Sequence, residues 1–548
     1  MKVYEAVAKA VVDEGVDAIF ALMGDANMEL LAAVNKLGFT NVRNGLHEGA
    51  VVAEAEGYAR GTGKTAFTTI TCGPGLANTL MSLTEAVRGH TPMVLFTGQP
   101  SRDDLGHIQS FDHRAFATLA GAAYQPVGNP GATLDAVRAA FLRASAERIP
   151  VLLDIDIDIQ FSDFPWDYSY EPSVTSIAPS QRPRPDDELL ARVATELSEA
   201  EHPVILAGVG AIASGAVDAL RTLGERTGAL LATTLMARGL FRDTPFNIGI
   251  SGLFSTVVAT ELLGEADLVV AFGASLSHYT VEDGYLFPNA RTIQFDLAAH
   301  VVPGNAVPDL YVSGDAKVSA DALLARLGPG SKVGFRTPEV GDRITKSVID
   351  STEVALEPGT ADPRAICEEL ERSLPPTAGV VTGGGHFMAF PIMHMTRRYE
   401  PQLYCYYFGA VGQGLPIARG AAAGYPDRPI ALVEGDGSFF WYLGELAELA
   451  EYNERVLVVI LNDGAYGAEY HKLRAHGWNP ELGAVPHTDF AAVAQSFGVR
   501  GRTLTDASQM AGYVSEFLDA EGPMVVDCHV SRAVVTSPYR RLHFGLDH

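Results

Sequence analysis

Short, continuously apolar runs alternate with longer stretches of helical period along most of the chain. In the N-terminal part the runs lie in DAIFALMG, AFTTITCGPG, MVLFTG and PVLLDID, with amphipathic segments such as NMELLAAVNKL between them. Runs that stay apolar at successive positions predict strands buried on both faces, and helices between them predict βαβ units on a parallel sheet. The style returns in HPVILAGVG, GALLATT, ADLVVAFGA and ARTIQFDL, and again in AGVVTGG, YCYYFGA, PIALVEGDG, RVLVVILND and MVVDCHV. Polar, proline-containing stretches separate the blocks, one reading DFPWDYSYEPSVTSIAPSQRPRPDD and one running from about 328 to 363. The expected fold class is α/β, with three consecutive α/β domains on parallel sheets at 1–164, 187–330 and 360–548. The first and third blocks resemble each other only in style, and no segment is of low complexity.

Composition sharpens this picture. At 548 residues the chain is too long for a single core, and 47% apolar with 19% charged residues is a globular balance. Acidic residues outnumber basic ones 66 to 40, a net charge of −26, which argues against nucleic-acid or anionic-membrane partners. A local phosphate site remains open, because backbone N–H groups and a metal can build one. Cys72, Cys367, Cys405 and Cys528 lie far apart, which speaks against a disulfide framework or zinc knuckle and for a reducing compartment. The opening MKVYEAVAKAVVDEG reads as an amphipathic helix rather than a signal peptide, and no stretch approaches a membrane span. A cytoplasmic protein is the expectation.

The candidate chemistry concentrates in the third block. The strand PIALVE runs into Gly435-Asp436-Gly437-Ser438, and RVLVVIL runs into Asn462-Asp463-Gly464-Ala465-Tyr466-Gly467. Parallel strands deliver both segments to the carboxyl edge of one sheet, where ligands of open α/β sheets bind. Asp436 and Asp463 offer hard oxygen ligands to Mg²⁺, a diphosphate can supply others, and Gly437 and Ser438 suit close approach to phosphate. GDG alone is commonly only a turn; the pairing with Asn-Asp between two strong strands selects the functional reading.

Gly-Asp-Gly, 24 intervening residues from Ser438 to Leu461, then Asn462-Asp463 resembles the signature of thiamine diphosphate (ThDP)-dependent enzymes. The resemblance spans the chain as pyrimidine-binding, middle and diphosphate-binding domains. It implies Mg²⁺ held by Asp436, Asp463 and the Ala465 carbonyl, with Asp463 standing where the family usually has Asn. YYFGAVGQGLP is similar to the family's glycine-rich segment, which implies the Gly409 carbonyl on the cofactor's 4′-amino group and Val411 beneath the bend between its rings. Gly385 and His386 in GGGH, together with Gly437, Ser438 and Tyr466, are implied at the diphosphate. NGLHEGAVVAEAEGYARG resembles the activating segment and places the family's glutamate at Glu48. A carboxyl group on N1′ favours the imino tautomer whose N4′ takes the weakly acidic C2 proton, so Glu48 is expected to be buried with a raised pKa. In such enzymes two subunits build each site, which implies a homodimer or homotetramer.

Two further features are similar to non-oxidative 2-oxo acid decarboxylases. Asp25 in GDAN and Glu469, six residues after Asp463, are candidate proton relays, although Asp25 and Asn27 also suit helix caps. The adjacent His pair of those decarboxylases is replaced by Ser110-Phe111, while Gln109 resembles the glutamine of acetolactate-synthase-like enzymes. The leading expectation is a carbon–carbon lyase that decarboxylates a small-molecule 2-oxo acid through an enamine. The alternatives are an acetolactate-synthase-like carboligase, a 2-hydroxyacyl-CoA lyase, or, in another class, a non-catalytic ThDP-binding subunit. In the middle block Gly208-Val209-Gly210 falls short of a full GxGxxG, so a Rossmann-like domain without bound FAD is expected, and His278 at a strand end reads as structural.

Overall fold

The computed structural model describes residues 1–104, 106–176, 182–297 and 306–545, so part of the first linker, at 177–181, lies outside the described residues. Three six-stranded sheets account for the strands. The first comprises β1 (Ile19–Ala21), β2 (Val42–Asn44), β3 (Ala66–Thr69), β4 (Met93–Thr97), β5 (Ala123–Pro126) and β6 (Pro150–Asp154), in the order β2-β1-β3-β4-β6-β5. The second comprises β7 (Pro203–Ala207), β8 (Leu230–Thr233), β9 (Asn247–Ile250), β10 (Leu268–Phe272), β11 (Arg291–Asp296) and β12 (Leu310–Ser313), in the order β12-β11-β10-β7-β8-β9. The third comprises β13 (Gly379–Thr382), β14 (Gln402–Tyr404), β15 (Ile430–Gly435), β16 (Val456–Asn462), β17 (Arg500–Leu504) and β18 (Met524–His529), in the order β14-β13-β15-β16-β18-β17. Every pairing is parallel.

The continuous apolar runs behave as their pattern requires. Each residue of β4, β6, β7, β10 and β16 is buried, because helices cover both faces. The first and third sheets share one strand order, second-first-third-fourth-sixth-fifth. Likeness in style alone therefore understated their kinship: topology is set by which strands neighbour one another, and periodicity carries no record of that.

The chain divides into two compact units. One holds Met1–Pro179, Ala355–Pro391 and Tyr399–Val534, so that the first and third sheets share it; the other holds Ser180–Val354, Ile392–Arg398 and Val535–His548. In the first unit the Glu48–Thr62 helix packs along the Gly414–Gly424 helix. Glycines let the two backbones touch: a Cβ on Gly57 would lie 2.2 Å from the Ile417 carbonyl oxygen, and one on Gly420 1.8 Å from that of Glu54. Charges are buried at this contact. Arg419, fully buried, lies 2.6 Å from Glu445, 3.2 Å from Glu454 and 3.4 Å from Glu54, while Arg43 lies 2.6 Å from Glu454.

In the second unit the strand order is that of a Rossmann-like sheet, with its reversal between β7 and β10. A Cβ on Gly208 would lie 2.1 Å from the Gly273 carbonyl oxygen, and the Gly210 N–H donates to that oxygen at 3.0 Å. These glycines thus serve loop-on-loop packing. His278 is exposed and lies 2.6 Å from Asp283. The four cysteines are buried and none forms a disulfide with another, and no described helix is long and apolar enough to cross a membrane.

Candidate active site

Register places the chemistry of the third sheet at one edge. Gly435 pairs with Leu461, so β15 and β16 release Asp436 and Asp463 side by side. β13 and β14, next along the sheet, release Gly383–His386 and the segment leading to Gly409 and Val411 at the same edge. Asp436 is 2% exposed and its Oδ2 has no hydrogen-bond partner among the described residues. Burial, and then the charge of Asp463, push its pKa up to about 8; burial pushes Asp463 up to about 6. Two desolvated carboxylates, one with an unanswered oxygen, fit a divalent cation that would replace the missing positive charge. Among the described residues no group of three His, Cys, Asp or Glu side chains is arranged to hold a metal ion. An ion here would therefore need the Ala465 carbonyl and oxygens from outside the protein, as a diphosphate provides. The loop is held from behind: Arg532 Nε donates to the Asp463 carbonyl and its Nη2 to that of Gly464 at 2.9 Å.

The other sequence-singled residues divide by environment. His386 is buried, its ring 4.5 Å from that of His471, and burial holds its pKa well below the usual histidine value. Gly385, at φ 151°, precedes it, and a Cβ on Gly437 would lie 3.0 Å from the Tyr466 ring, which is 39% exposed. Ser438 is already engaged, its Oγ accepting from the Gly412 N–H at 2.7 Å. Gly409 is exposed, at φ 72°, and Val411 is half-buried. Glu469, in the first turn of the Gly467–Ala475 helix, is exposed and lies 3.6 Å from Lys472.

The first sheet gathers a second cluster at its own carboxyl edge. Glu48 opens the Glu48–Thr62 helix behind His47, whose Nδ1 accepts from the Gly49 N–H at 3.0 Å. It is half-buried and accepts from Asn78 Nδ2 at 3.0 Å. This chain alone therefore does not give Glu48 the apolar enclosure expected from sequence, since the residues after β2 and β3 cover only part of it. Asp25 is exposed in the loop after β1. Asn27 does not cap the following helix; its side chain turns back, accepting from the Gly24 N–H at 2.8 Å and donating to the Leu22 carbonyl and to Thr69 Oγ1, both at 3.1 Å. Gln109 is drawn to the same edge by Cys72, whose Sγ donates to Gln109 Oε1 at 3.3 Å.

Comparison with known proteins decides what these two clusters belong to. Residues 1–119 match the thiamine pyrophosphate enzyme N-terminal TPP binding domain, 190–323 the central domain and 383–528 the C-terminal TPP binding domain. An acetolactate synthase large subunit from Parasynechococcus marenigrum (strain WH8102) is 30% identical over 536 residues, covering 94% of this chain and 86% of the relative. The chain belongs to the thiamine diphosphate-dependent enzymes. A probable acetolactate synthase large subunit from Methanocaldococcus jannaschii is 27% identical, covering 97% of this chain and 92% of that one. Acetolactate synthase 1, chloroplastic, from Oryza sativa subsp. japonica is 28% identical over 94% and 82%.

The geometry brings forward residues that sequence patterns alone had not singled out. Tyr442, whose ring lies 5.1 Å from that of His47, sits beside Glu48, and a Cβ on Gly49 would lie 2.4 Å from its hydroxyl. Arg532 backs the Asp463 loop, and Glu85 reaches from the first sheet's helices to the segment before Gly409. Glu85 had a legible signal, for it falls on the same helical face as Ser82 and Ala86, where an acidic residue needs partners. Arg532 had none, because only the fold brings residues 463 and 532 together.

Proposed function

We propose that this enzyme is a carboligase that joins two 2-oxo acid molecules with loss of one CO₂, as in the formation of acetolactate from pyruvate. The carrying observation is that the three near-full-length relatives named above are acetolactate synthases by name. That favours carboligation over the simple decarboxylation that Asp25 and Glu469 suggested, and both of those carboxyls are exposed in this chain. Gln109, held beside Cys72 at the edge that also carries Glu48, agrees with the carboligase reading.

In this reading Asp436, Asp463 and the Ala465 carbonyl hold Mg²⁺, and Gly385, His386, Gly437 and Tyr466 line the diphosphate. Bound thiamine diphosphate supplies a nucleophilic carbon and an electron sink for the departing carboxylate. Glu48 hydrogen-bonds the aminopyrimidine N1′ and holds the proton there. Its half-open position suits a site closed by a second subunit, in a homodimer or homotetramer. Ser438 lines the diphosphate as well, and its Oγ, by accepting from the Gly412 N–H, also fixes the turn after Gly409.

The deciding experiment is a product survey by NMR, with purified protein, ThDP and Mg²⁺ incubated with a panel of aliphatic and aromatic 2-oxo acids. Acetohydroxy acid from pyruvate, alone or with a second 2-oxo acid, is the expected product. Free aldehyde as the sole product would overturn the proposal and restore the decarboxylase.

A further inference from the structure

We propose that Glu85 is a positioning residue of the cofactor site, holding the backbone of Tyr406–Phe408 so that the Gly409–Val411 turn meets the aminopyrimidine. This rests on the reading of the Gly409 carbonyl as acceptor of the cofactor's 4′-amino group and of Val411 as the support beneath the bend between its rings. Glu85 belongs to the N-terminal domain, on the Leu80–Arg88 helix, and is fully buried. Its Oε1 accepts from the Tyr407 N–H at 2.7 Å and its Oε2 from that of Phe408, with the Tyr406 N–H also directed at the carboxylate.

The neighbouring cations strengthen the grip. Arg88 lies 4.4 Å over the Phe408 ring and Arg60 4.7 Å over that of Tyr407, while Arg60 Nη2 donates to the Tyr404 carbonyl at 3.0 Å. On the far side of the turn the Gly412 N–H is fixed by Ser438 at 2.7 Å. The Gly409–Val411 turn is thus suspended between a carboxylate of one domain and a hydroxyl of the other.

A carboxylate accepting backbone N–H groups out of water forms strong, charge-assisted bonds, and each side is costly to leave unpaired. Carboxylate and segment therefore depend on each other. Cohesion between the domains does not need Glu85, since the helix contact at Gly57 and Gly420 and the Arg419 cluster already join them. What Glu85 adds is the position of the residues leading into Gly409.

The test measures cofactor affinity by calorimetry in Mg²⁺ for the full-length wild type, Glu85→Gln and Glu85→Asp. It uses ThDP and oxythiamine diphosphate, in which an oxygen replaces the 4′-amino group. Glu85→Asp keeps the charge but is one methylene shorter, so a misplaced turn can be read even if Glu85→Gln folds poorly. Glu454→Gln, which alters a buried carboxylate away from the turn, controls for general destabilisation. The expected result is ThDP affinity weakened about tenfold or more in the Glu85 variants. Oxythiamine diphosphate should weaken much less, and Glu454→Gln should leave both unchanged. Equal weakening of both compounds would assign Glu85 a purely structural role, and unaltered ThDP affinity would remove the role altogether; either overturns the proposal. A wild type that binds ThDP and oxythiamine diphosphate equally would instead overturn the reading of Gly409.

Discussion

Replacing Glu54 by Gln should abolish a pH dependence of stability that this one carboxyl imposes. Glu54 is fully buried, and neither of its oxygens has a hydrogen-bond partner among the described residues. Three carboxylates, Glu54, Glu445 and Glu454, share two guanidinium groups, Arg419 and Arg43, so full ionisation leaves one negative charge in excess. Glu54 is the member that stays protonated: burial pushes its pKa up to about 8, against the pull of Arg419 and with the push of Glu454 and Glu445. The folded pKa is thus above the unfolded one, and the folded state binds the extra proton. Its stabilising effect is complete below the unfolded carboxyl value and is lost as pH rises towards 8 and beyond. At 1.36 kcal/mol per unit the ceiling is about 5 kcal/mol, and sharing of the proton within the cluster lowers it. Glutamine keeps the shape of the neutral acid and has no proton to lose. Thermal melts of wild type and Glu54→Gln should lie closest near pH 5 and diverge progressively up to about pH 8, with the variant higher by several degrees. The difference between the two proteins cancels every other titrating group. Parallel melting curves across this range would refute the assignment of the extra proton to Glu54.

Two more outcomes follow from the same geometry. Glu48→Gln should lower turnover at saturating cofactor by about a hundredfold or more, the range of a lost proton-transfer group, while leaving the melting temperature nearly unchanged because among the described residues the Glu48 side chain is hydrogen-bonded to Asn78 alone; steady-state rates and a melt check both halves. Gly420→Ala, whose Cβ would lie 1.8 Å from the Glu54 carbonyl oxygen, should cost about 1–3 kcal/mol by overpacking, read as a lower denaturation midpoint.

The three α/β blocks were legible because strands covered on both faces write themselves as unbroken apolar runs, and β15 and β16 are buried throughout. Asp436 and Asp463 were legible for the same reason: a motif directly after such a strand is carried to the sheet edge whatever the rest of the chain does. Residue order also sufficed for the family, since the glycine and Asn-Asp spacing is local. Tertiary structure alone decided which elements neighbour one another. The common strand order of the first and third sheets, the grip of Glu85 on Tyr407 and Phe408, and the Arg419 cluster all join residues far apart in the chain. Pattern also placed Asn27 as a helix cap, whereas its side chain bonds to the Gly24 N–H and the Leu22 carbonyl nearer at hand in the fold, and pattern gave no sign that Ser438 accepts from the Gly412 N–H. The physical reason is that periodicity reports which face of an element is buried, while a polar side chain's partner is set by whatever folding brings within 3 Å or so of it.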